Sequence, residues 1–169
     1  MSFEIINERG IVLLGCGKMG SAMLRGWLGD ALNIQSVNII DPNPSDWVLS
    51  LSAEGASLNS EFPQNPAVCI LAVKPQMMGE ALPALQSLGN GETLFISIAA
   101  GTPISMFEDM LGSETPIIRA MPNTPAAISK GITALIGNTK ASSANIEMAE
   151  ILLKAVGQTV QLENESQMD

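Results

Sequence analysis

The sequence contains no histidine and no tyrosine among its 169 residues. These side chains are common proton donors in enzymes that reduce carbonyl groups, and imidazole is a frequent metal ligand. Their absence excludes Ser-His-Asp catalysis and imidazole-based metal sites. Any chemistry in which the protein takes part must therefore proceed without these side chains, and we assign no metal ligand within this sequence.

Basic residues are also scarce, because 8 Lys and Arg oppose 17 Asp and Glu and leave a net charge of −9. This charge opposes the phosphate neutralisation on which nucleic-acid binding depends. It equally disfavours anionic membrane surfaces, and no apolar run approaches the ~20 residues that a membrane span requires. We expect no nucleic-acid partner and no membrane association.

Only two cysteines are present, Cys16 and Cys69, which is too few for a disulfide framework or a cysteine metal set. Residues 1–9 lack the basic, apolar and small-residue segments of a secretory leader. Two reduced thiols and the lack of a leader together predict a cytoplasmic protein.

Short apolar segments, by contrast, recur along the chain and are typical of buried strands. They cover residues 11–14, 37–40, 56–58, 68–73, 93–98, 117–121, 132–136 and 159–162. Several are continuous rather than alternating, as in parallel sheets covered on both faces. Helical patterns separate them at residues 18–28, 46–53, 76–88, 104–111 and 142–156.

This alternation predicts a Rossmann-like, doubly wound α/β fold, with a mostly parallel sheet of about eight strands and helices on both faces. We expect residues 1–162 to form one domain of this kind. The acidic, polar segment at residues 163–169 predicts either a frayed end or the first turn of a further helix.

The segment G-C-G-K-M-G at residues 15–20 follows the first predicted strand and precedes the first predicted helix. Gly15 allows the tight turn, Gly17 lets a pyrophosphate approach the backbone, and Gly20 lets the helix pack closely on the strand. Free N–H groups at the start of the helix would face the anion. In this context the segment predicts a dinucleotide site.

Asp41 directly follows the second predicted strand, 21 residues beyond Gly20. An acid at this position hydrogen-bonds a ribose 2′-hydroxyl in such folds, although Asp41 could instead only open the turn D-P-N-P. Its carboxylate would repel the 2′-phosphate of NADP, and no Lys or Arg lies between Asp41 and Lys74. We expect the cofactor to be NADPH or NADH, with Asp41 favouring NADH.

Three later loops leave the carboxyl ends of predicted strands, where ligands of open α/β sheets bind. They are A-V-K-P-Q at residues 72–76, S-I-A-A-G at residues 97–101 and M-P-N-T-P at residues 121–125. We expect the first two to border the cofactor, although Pro75 and Gly101 would also serve simply to end their strands. In the third, paired prolines would hold Asn123 in a stiff segment suited to a nicotinamide carboxamide.

Together with G-C-G-K-M-G-S-A at residues 15–22 and R-A-M-P-N-T-P-A at residues 119–126, these loops resemble the amino-terminal domain of pyrroline-5-carboxylate reductase. The resemblance covers nearly the whole chain, and its specific part is A-V-K-P-Q followed by M-P-N-T-P-A. It implies hydride transfer from NAD(P)H to the C=N carbon of 1-pyrroline-5-carboxylate, giving L-proline in the last step of proline biosynthesis. A cyclic imine protonates readily in water, so this reaction needs no dedicated general acid.

The resemblance also implies a set of cofactor contacts, to which the polar turn after the predicted strand at residues 117–121 adds Asn123. The set is Gly15, Cys16, Gly17, Lys18, Met19, Gly20, Asp41, Asn43, Asn59, Ala72, Val73, Lys74, Pro75, Ala99, Ala100, Gly101 and Asn123. Asn59 enters through the resemblance alone, because its surroundings predict an ordinary loop. Asp41 departs from family members that carry neutral or Arg-flanked residues at this position.

In the family, an E-x-x-M-D segment opens a long helix into an all-helical second domain, which carries the substrate loop and forms the dimer. Because the resemblance places the substrate loop there, we assign no catalytic residue within this sequence. Residues 165–169, E-S-Q-M-D, match that opening, so we expect residues 163–169 to begin this helix. The full-length protein would then be a dimer-based homo-oligomer, and this chain alone would associate weakly or not at all and show little or no turnover.

Two alternatives stay open at this point. One is a related oxidoreductase of the 6-phosphogluconate or 3-hydroxyacid dehydrogenase type, which the M-P-N-T-P-A segment disfavours. The other is a non-catalytic module that senses a dinucleotide.

Overall fold

Eight strands form the sheet in the computed structural model, which describes residues 3–122 and 131–168. The strands are β1 Ile11–Leu14, β2 Val37–Ile40, β3 Ser57–Leu58, β4 Val68–Leu71, β5 Leu94–Ser97, β6 Ile117–Pro122, β7 Gly131–Gly137 and β8 Gly157–Gln161. The α-helices are α1 Glu4–Arg9, α2 Lys18–Leu28, α3 Asp46–Glu54, α4 Met78–Ala81, α5 Ile104–Leu111 and α6 Ser143–Leu153.

The strand order is β3-β2-β1-β4-β5-β6-β7-β8. From β3 through β6 all neighbouring strands are parallel, β7 runs antiparallel to β6, and β8 is parallel to β7. The chain builds outward from β1 to β3 and then crosses to β4, so β1 and β4 flank the point at which the order reverses. Ligands of doubly wound sheets bind at that point, outside the carboxyl ends of the strands.

Apolar layers cover both faces of the sheet. In β1, Ile11 and Leu13 pack in the layer that contains α1, α2, α3 and α6, whereas Val12 and Leu14 face α4 and α5. All four residues are buried, which explains why the strand is continuously apolar. The predicted fold class, a mostly parallel Rossmann-like sheet with helices on both faces, is confirmed.

A buried hydrogen bond joins α2 to α6 across the first layer. The Trp27 indole N–H donates to the carbonyl oxygen of Leu152 at 2.8 Å, and Trp27 is 1% exposed. Ser142 caps α6 in a capping box with Asn145, which agrees with the predicted start of this helix.

The structure differs from the sequence prediction in three elements. The helix expected at residues 76–88 is split into the 3₁₀ segments Pro75–Met77 and Leu82–Leu88 around the short α4, because Pro83 supplies no N–H for a helical hydrogen bond. Helix α1 was not predicted; its buried residue is Ile6. The antiparallel β7 interrupts the expected succession of parallel units.

Within residues 3–122 and 131–168, every helix is too short or too polar to cross a membrane. After β8 the chain forms a 3₁₀ turn at Glu165–Met168, and the buried Met168 packs this turn onto the rest of the fold.

Candidate cofactor site

The glycine loop joins β1 to α2 at the centre of the sheet edge. Gly15 has a φ of +86°, and a Cβ atom there would lie 2.8 Å from Val73 Cγ1 and 3.0 Å from the Val73 backbone nitrogen. Its N–H donates to the carbonyl oxygen of Ile40 at 2.7 Å. Both the backbone angle and the lack of space therefore require glycine at this position.

The other two glycines of the loop differ in their surroundings. A Cβ on Gly20 would lie 3.1 Å from the Gly15 carbonyl oxygen, so this glycine permits close packing of α2 on the loop. A Cβ on Gly17 would meet no atom within 4 Å. The backbone of Gly17 is therefore open to solvent or to a ligand.

The start of α2 has the properties of an anion site. Gly17 is the N-cap residue, and no side chain at this position accepts a hydrogen bond from the N–H groups of the first turn. These N–H groups and the helix dipole favour a negative group. The open Gly17 backbone at the same point fits a pyrophosphate.

The Asp41 carboxylate connects the glycine loop to the loop after β2. Its Oδ2 accepts a hydrogen bond from the Cys16 N–H at 3.0 Å, and its Oδ1 accepts one from the Asn43 N–H at 2.9 Å. Asp41 is 9% exposed. A carboxylate offers about four acceptor positions, so each Asp41 oxygen retains capacity for a further donor such as a ribose hydroxyl.

Asn59 holds the backbone of Asp41 from the neighbouring loop after β3. Its Oδ1 accepts from the Asp41 N–H, and its Nδ2 donates to the Asp41 carbonyl oxygen, both at 2.8 Å. Asn59 has a φ of +51°, a conformation that Asn tolerates better than most residues. No feature of the linear sequence signals this pairing, because it depends on β3 lying beside β2.

A cleft of about 280 Å³ lies beside the glycine loop, at the carboxyl ends of β4, β5 and β6. It is lined by Met19, Ala72, Val73, Lys74, Pro75, Ile98, Ala99, Ala100, Met121 and Pro122. All of these except Ile98, Met121 and Pro122 belong to the predicted set of cofactor contacts. Gly101 follows directly, with a φ of +68° and open space around it. The structure thus brings most of the predicted residues together; Asn123 lies outside the described residues.

Burial raises the pKa of the Cys16 thiol, and the nearby Asp41 carboxylate raises it further. A hydrogen bond with Ser21 and the positive charge of Arg25 act in the opposite direction and are outweighed. Burial also raises the pKa of the Cys69 thiol. Both cysteines are free and buried, and protonated thiols are poor nucleophiles.

The positive groups on α2 and after β4 are Lys18, Arg25 and Lys74. Lys18 and Lys74 are exposed at the two loops, and the Arg25 guanidinium stacks on Trp47, 3.8 Å from the ring centroid. Among the described residues, no group of three or more His, Cys, Asp or Glu side chains could hold a metal ion.

Comparison with protein-family models gives a match over residues 10–101, which is more than half of the chain. The family is described as "NADP oxidoreductase coenzyme F420-dependent". The matched region begins just before β1, includes the glycine loop and ends at Gly101.

Curated relatives match over nearly the whole chain. A pyrroline-5-carboxylate reductase from Pseudomonas aeruginosa is 34% identical over 163 residues, covering 94% of this chain and 59% of the relative. One from Methanosarcina acetivorans is 34% identical over 168 residues, covering 97% of this chain and 62% of the relative. The chain therefore spans about 60% of the length of these relatives.

Solved structures show the same fold. A pyrroline-5-carboxylate reductase from Coxiella burnetii has a TM-score of 0.87 and 26% identity, over 96% of this chain and 62% of that structure. The Plasmodium falciparum pyrroline carboxylate reductase, solved with NADP bound, has a TM-score of 0.80 and 22% identity, over 95% of this chain and 60% of that structure.

Proposed function

Because the chain belongs to the family described as "NADP oxidoreductase coenzyme F420-dependent", we propose that it binds a nicotinamide dinucleotide at the glycine loop. The observation that carries this proposal is the contrast within the loop. A Cβ on Gly15 would clash with Val73, and one on Gly20 would make a tight contact with the Gly15 carbonyl oxygen, whereas a Cβ on Gly17 would meet no atom within 4 Å. A ligand that approaches the Gly17 backbone accounts for a glycine at that position.

The reaction we propose is that of the curated relatives, the reduction of 1-pyrroline-5-carboxylate to L-proline. Two relatives of that name align with 94% and 97% of this chain at 34% identity. Their alignments include the loops that line the cleft. Since the chain covers about 60% of each relative, we assign it the dinucleotide-binding part of the reaction.

When bound, the dinucleotide supplies a hydride. The residues that would hold it are the start of α2 for the pyrophosphate, Asp41 for the adenine ribose and the cleft of about 280 Å³ for the nicotinamide end. The cleft walls are mostly apolar, and they would orient the nicotinamide and keep water away. No described side chain is needed as a proton donor, because the cyclic imine is protonated in water.

We further propose a preference for NADH over NADPH. Asp41 places a carboxylate at the end of β2, where a 2′-phosphate would lie, and the hydrogen bonds that it accepts from the Cys16 and Asn43 N–H groups do not cancel its charge. The family description names NADP, and two positive groups of α2 could offset the repulsion: Lys18, which is exposed at the glycine loop, and Arg25, which stacks on Trp47. The ratio of the dissociation constants for NADPH and NADH tests this preference, and a ratio below one would contradict it.

We place the boundary of the dinucleotide domain at Leu162, with residues 163–169 beginning a segment that leads to a helical dimerisation domain. The Leu162 N–H donates to the Leu135 carbonyl oxygen at 2.8 Å, so strand pairing continues up to this residue. Full-length protein would be a dimer-based oligomer in the cytoplasm, where unpaired thiols persist, and this chain alone would associate weakly or not at all. Light scattering that reports a tight dimer of this chain would contradict the assignment.

The activity proposal is tested with this chain and with the product of the complete reading frame that encodes it. Calorimetry with NADH and NADPH should show binding by this chain. Loss of absorbance at the nicotinamide wavelength, on addition of 1-pyrroline-5-carboxylate, should occur with the complete product and be slight with this chain. If the complete product oxidises 3-hydroxy acids instead, the chain belongs to a related dehydrogenase. If the complete product binds the dinucleotide but reduces no substrate, the sensing module is the better interpretation.

A further inference from the structure

The Glu165 carboxylate, which follows the last strand, contacts two elements near the cofactor cleft. Its Oε2 accepts a hydrogen bond from the Ile104 N–H at 2.8 Å and an ion-paired hydrogen bond from Arg119 Nη1, also at 2.8 Å. One oxygen atom therefore joins the 3₁₀ turn at Glu165–Met168 to the start of α5 and to β6.

The contact with Ile104 supplies a cap that α5 otherwise lacks. Pro103 occupies the N-cap position and provides no side-chain hydrogen bond, because its side chain carries no oxygen. A carboxylate at the first turn of a helix satisfies a free N–H group and interacts favourably with the helix dipole. Glu165 performs this role from 61 positions further along the chain.

The contact with Arg119 fixes the same loop from its other end. The side chain of Arg119 is 3% exposed, and its backbone pairs with Ser97, the last residue of β5. The loop at residues 98–103 leaves the sheet at Ser97 and ends where α5 begins at Ile104. Both ends of this loop are thus attached to Arg119, one through the sheet and the other through Glu165.

This loop lines the cofactor cleft with Ile98, Ala99 and Ala100. Inside the loop, the Ala99 N–H donates to Ser97 Oγ at 3.2 Å, and Gly101 has open space where a side chain would be. Ile98 and Ala99 pack into the apolar layers, whereas Ala100 and Gly101 are small and exposed. The shape of this exposed part therefore depends on how the ends of the loop are held.

We propose that Glu165 is a positioning residue for the loop at residues 98–103, and that it keeps the cleft in the shape that receives the nicotinamide end of the cofactor. The inference rests on the proposed dinucleotide site. It extends that site to a residue outside the matched region at residues 10–101.

The test compares Glu165→Ala and Glu165→Gln with Glu163→Gln, a matched control on an exposed neighbour. Two quantities are measured well below the melting temperature of each variant. They are the amide hydrogen exchange rates of Ala99, Ala100 and Gly101, and the dissociation constant for NADH. We expect Glu165→Ala to raise both by at least 10-fold and Glu165→Gln to raise both by less, because glutamine keeps an acceptor for the Ile104 N–H. Glu163→Gln should resemble the wild type.

A folded Glu165→Ala protein with unchanged exchange and unchanged NADH affinity would overturn the proposal, even if its melting temperature were lower. If Glu165→Ala does not fold, the same criteria apply to Glu165→Gln. Should the wild-type chain bind neither NADH nor NADPH, the proposed function fails for this chain. In that case the amide exchange rates of residues 99–101 are by themselves the test of whether Glu165 positions the loop.

Discussion

The carboxylate of Asp41 accepts a hydrogen bond from the N–H of Cys16 at 3.0 Å, and this bond links the end of β2 to the glycine loop after β1. Asp41 consequently has two roles in the candidate site. It shapes the loop that would hold the pyrophosphate, and in the proposed complex its charge would face the ribose 2′ substituent.

Asp41→Asn should separate these roles. The amide oxygen can still accept from one backbone N–H, but the negative charge is lost, so we expect the ratio of NADPH to NADH affinity to rise by about 10-fold, or about 1.4 kcal/mol. We also expect a loss of stability of about 1 to 2 kcal/mol, because one of the two hydrogen bonds has no acceptor in the variant.

The measurements for Asp41→Asn are calorimetric titration with both dinucleotides and urea unfolding. As the control, Asp30→Asn removes a negative charge from an exposed turn. Its changes in affinity ratio and in stability should both be much smaller than those of Asp41→Asn. An affinity ratio that stays at the wild-type value in Asp41→Asn would show that this carboxylate does not select the cofactor.

Gly17→Ala should weaken dinucleotide binding without affecting folding, whereas Gly15→Ala should lower the stability of the fold. At Gly17 a methyl group meets no protein atom within 4 Å, so we expect normal folding and dinucleotide binding weaker by at least about 10-fold, because the methyl group occupies the space of the ligand. At Gly15 the φ of +86° and the contact with Val73 predict destabilisation by about 1 to 3 kcal/mol.

Thermal unfolding and NADH titration check the glycine predictions, with Gly79→Ala as the control. Gly79 also has open space around it and lies in α4, outside the residues that line the cleft. Unimpaired NADH binding by Gly17→Ala would remove the main support for the dinucleotide site.

The sequence predicted the central part of the fold because local signals determine it. The bounds of β1, β2, α2 and α5 agree with the structure, since a buried strand is continuously apolar and each helix begins at a recognisable loop. α1 was missed because six residues carry too little periodicity to identify a helix.

The candidate site divides in the same way. Gly15, Gly17, Gly20 and Asp41 could be chosen from spacing, because the glycine motif is local and the acid follows at a fixed distance. Glu165 could not, since its contacts with Ile104 and Arg119 join segments that are distant in the sequence. Asn59 was implied by resemblance, and the physical reason for it, the two hydrogen bonds with the Asp41 backbone, emerged only from the structure.

The raised pKa of the Cys16 thiol predicts slow alkylation. At pH 8 the buried thiol is protonated, so iodoacetamide should modify folded protein at least about 10-fold more slowly than the urea-unfolded chain. Mass spectrometry resolves Cys16 from Cys69 and measures both rates. Fast modification of Cys16 in the folded protein at pH 8 would contradict the direction of the shift.

The same two thiols predict a pH dependence of stability. Their pKa values are raised in the folded protein from an ordinary 9.0, so the folded state binds these protons more tightly than the unfolded state. Their stabilising contribution is complete below pH 9 and declines as the pH rises above it. Urea unfolding between pH 8 and pH 10.5 should show a fall in the free energy of unfolding. When each protein is referred to its own value at pH 8, this fall should be smaller in Cys69→Ala than in the wild type. An equal decline in this variant would assign the effect to other groups.

Trp27→Phe should weaken the junction of α2 and α6. The indole N–H donates to the Leu152 carbonyl oxygen at 2.8 Å within the core, and phenylalanine leaves that oxygen without its donor and a space in the packing. We expect a loss of about 2 to 4 kcal/mol in the free energy of unfolding. Trp47→Phe, at a half-buried position, should lose less than about half as much. Equal losses in the two variants would show that the hydrogen bond to Leu152 contributes little, and that α6 is held on the sheet mainly by the apolar contacts of Leu152 and Leu153.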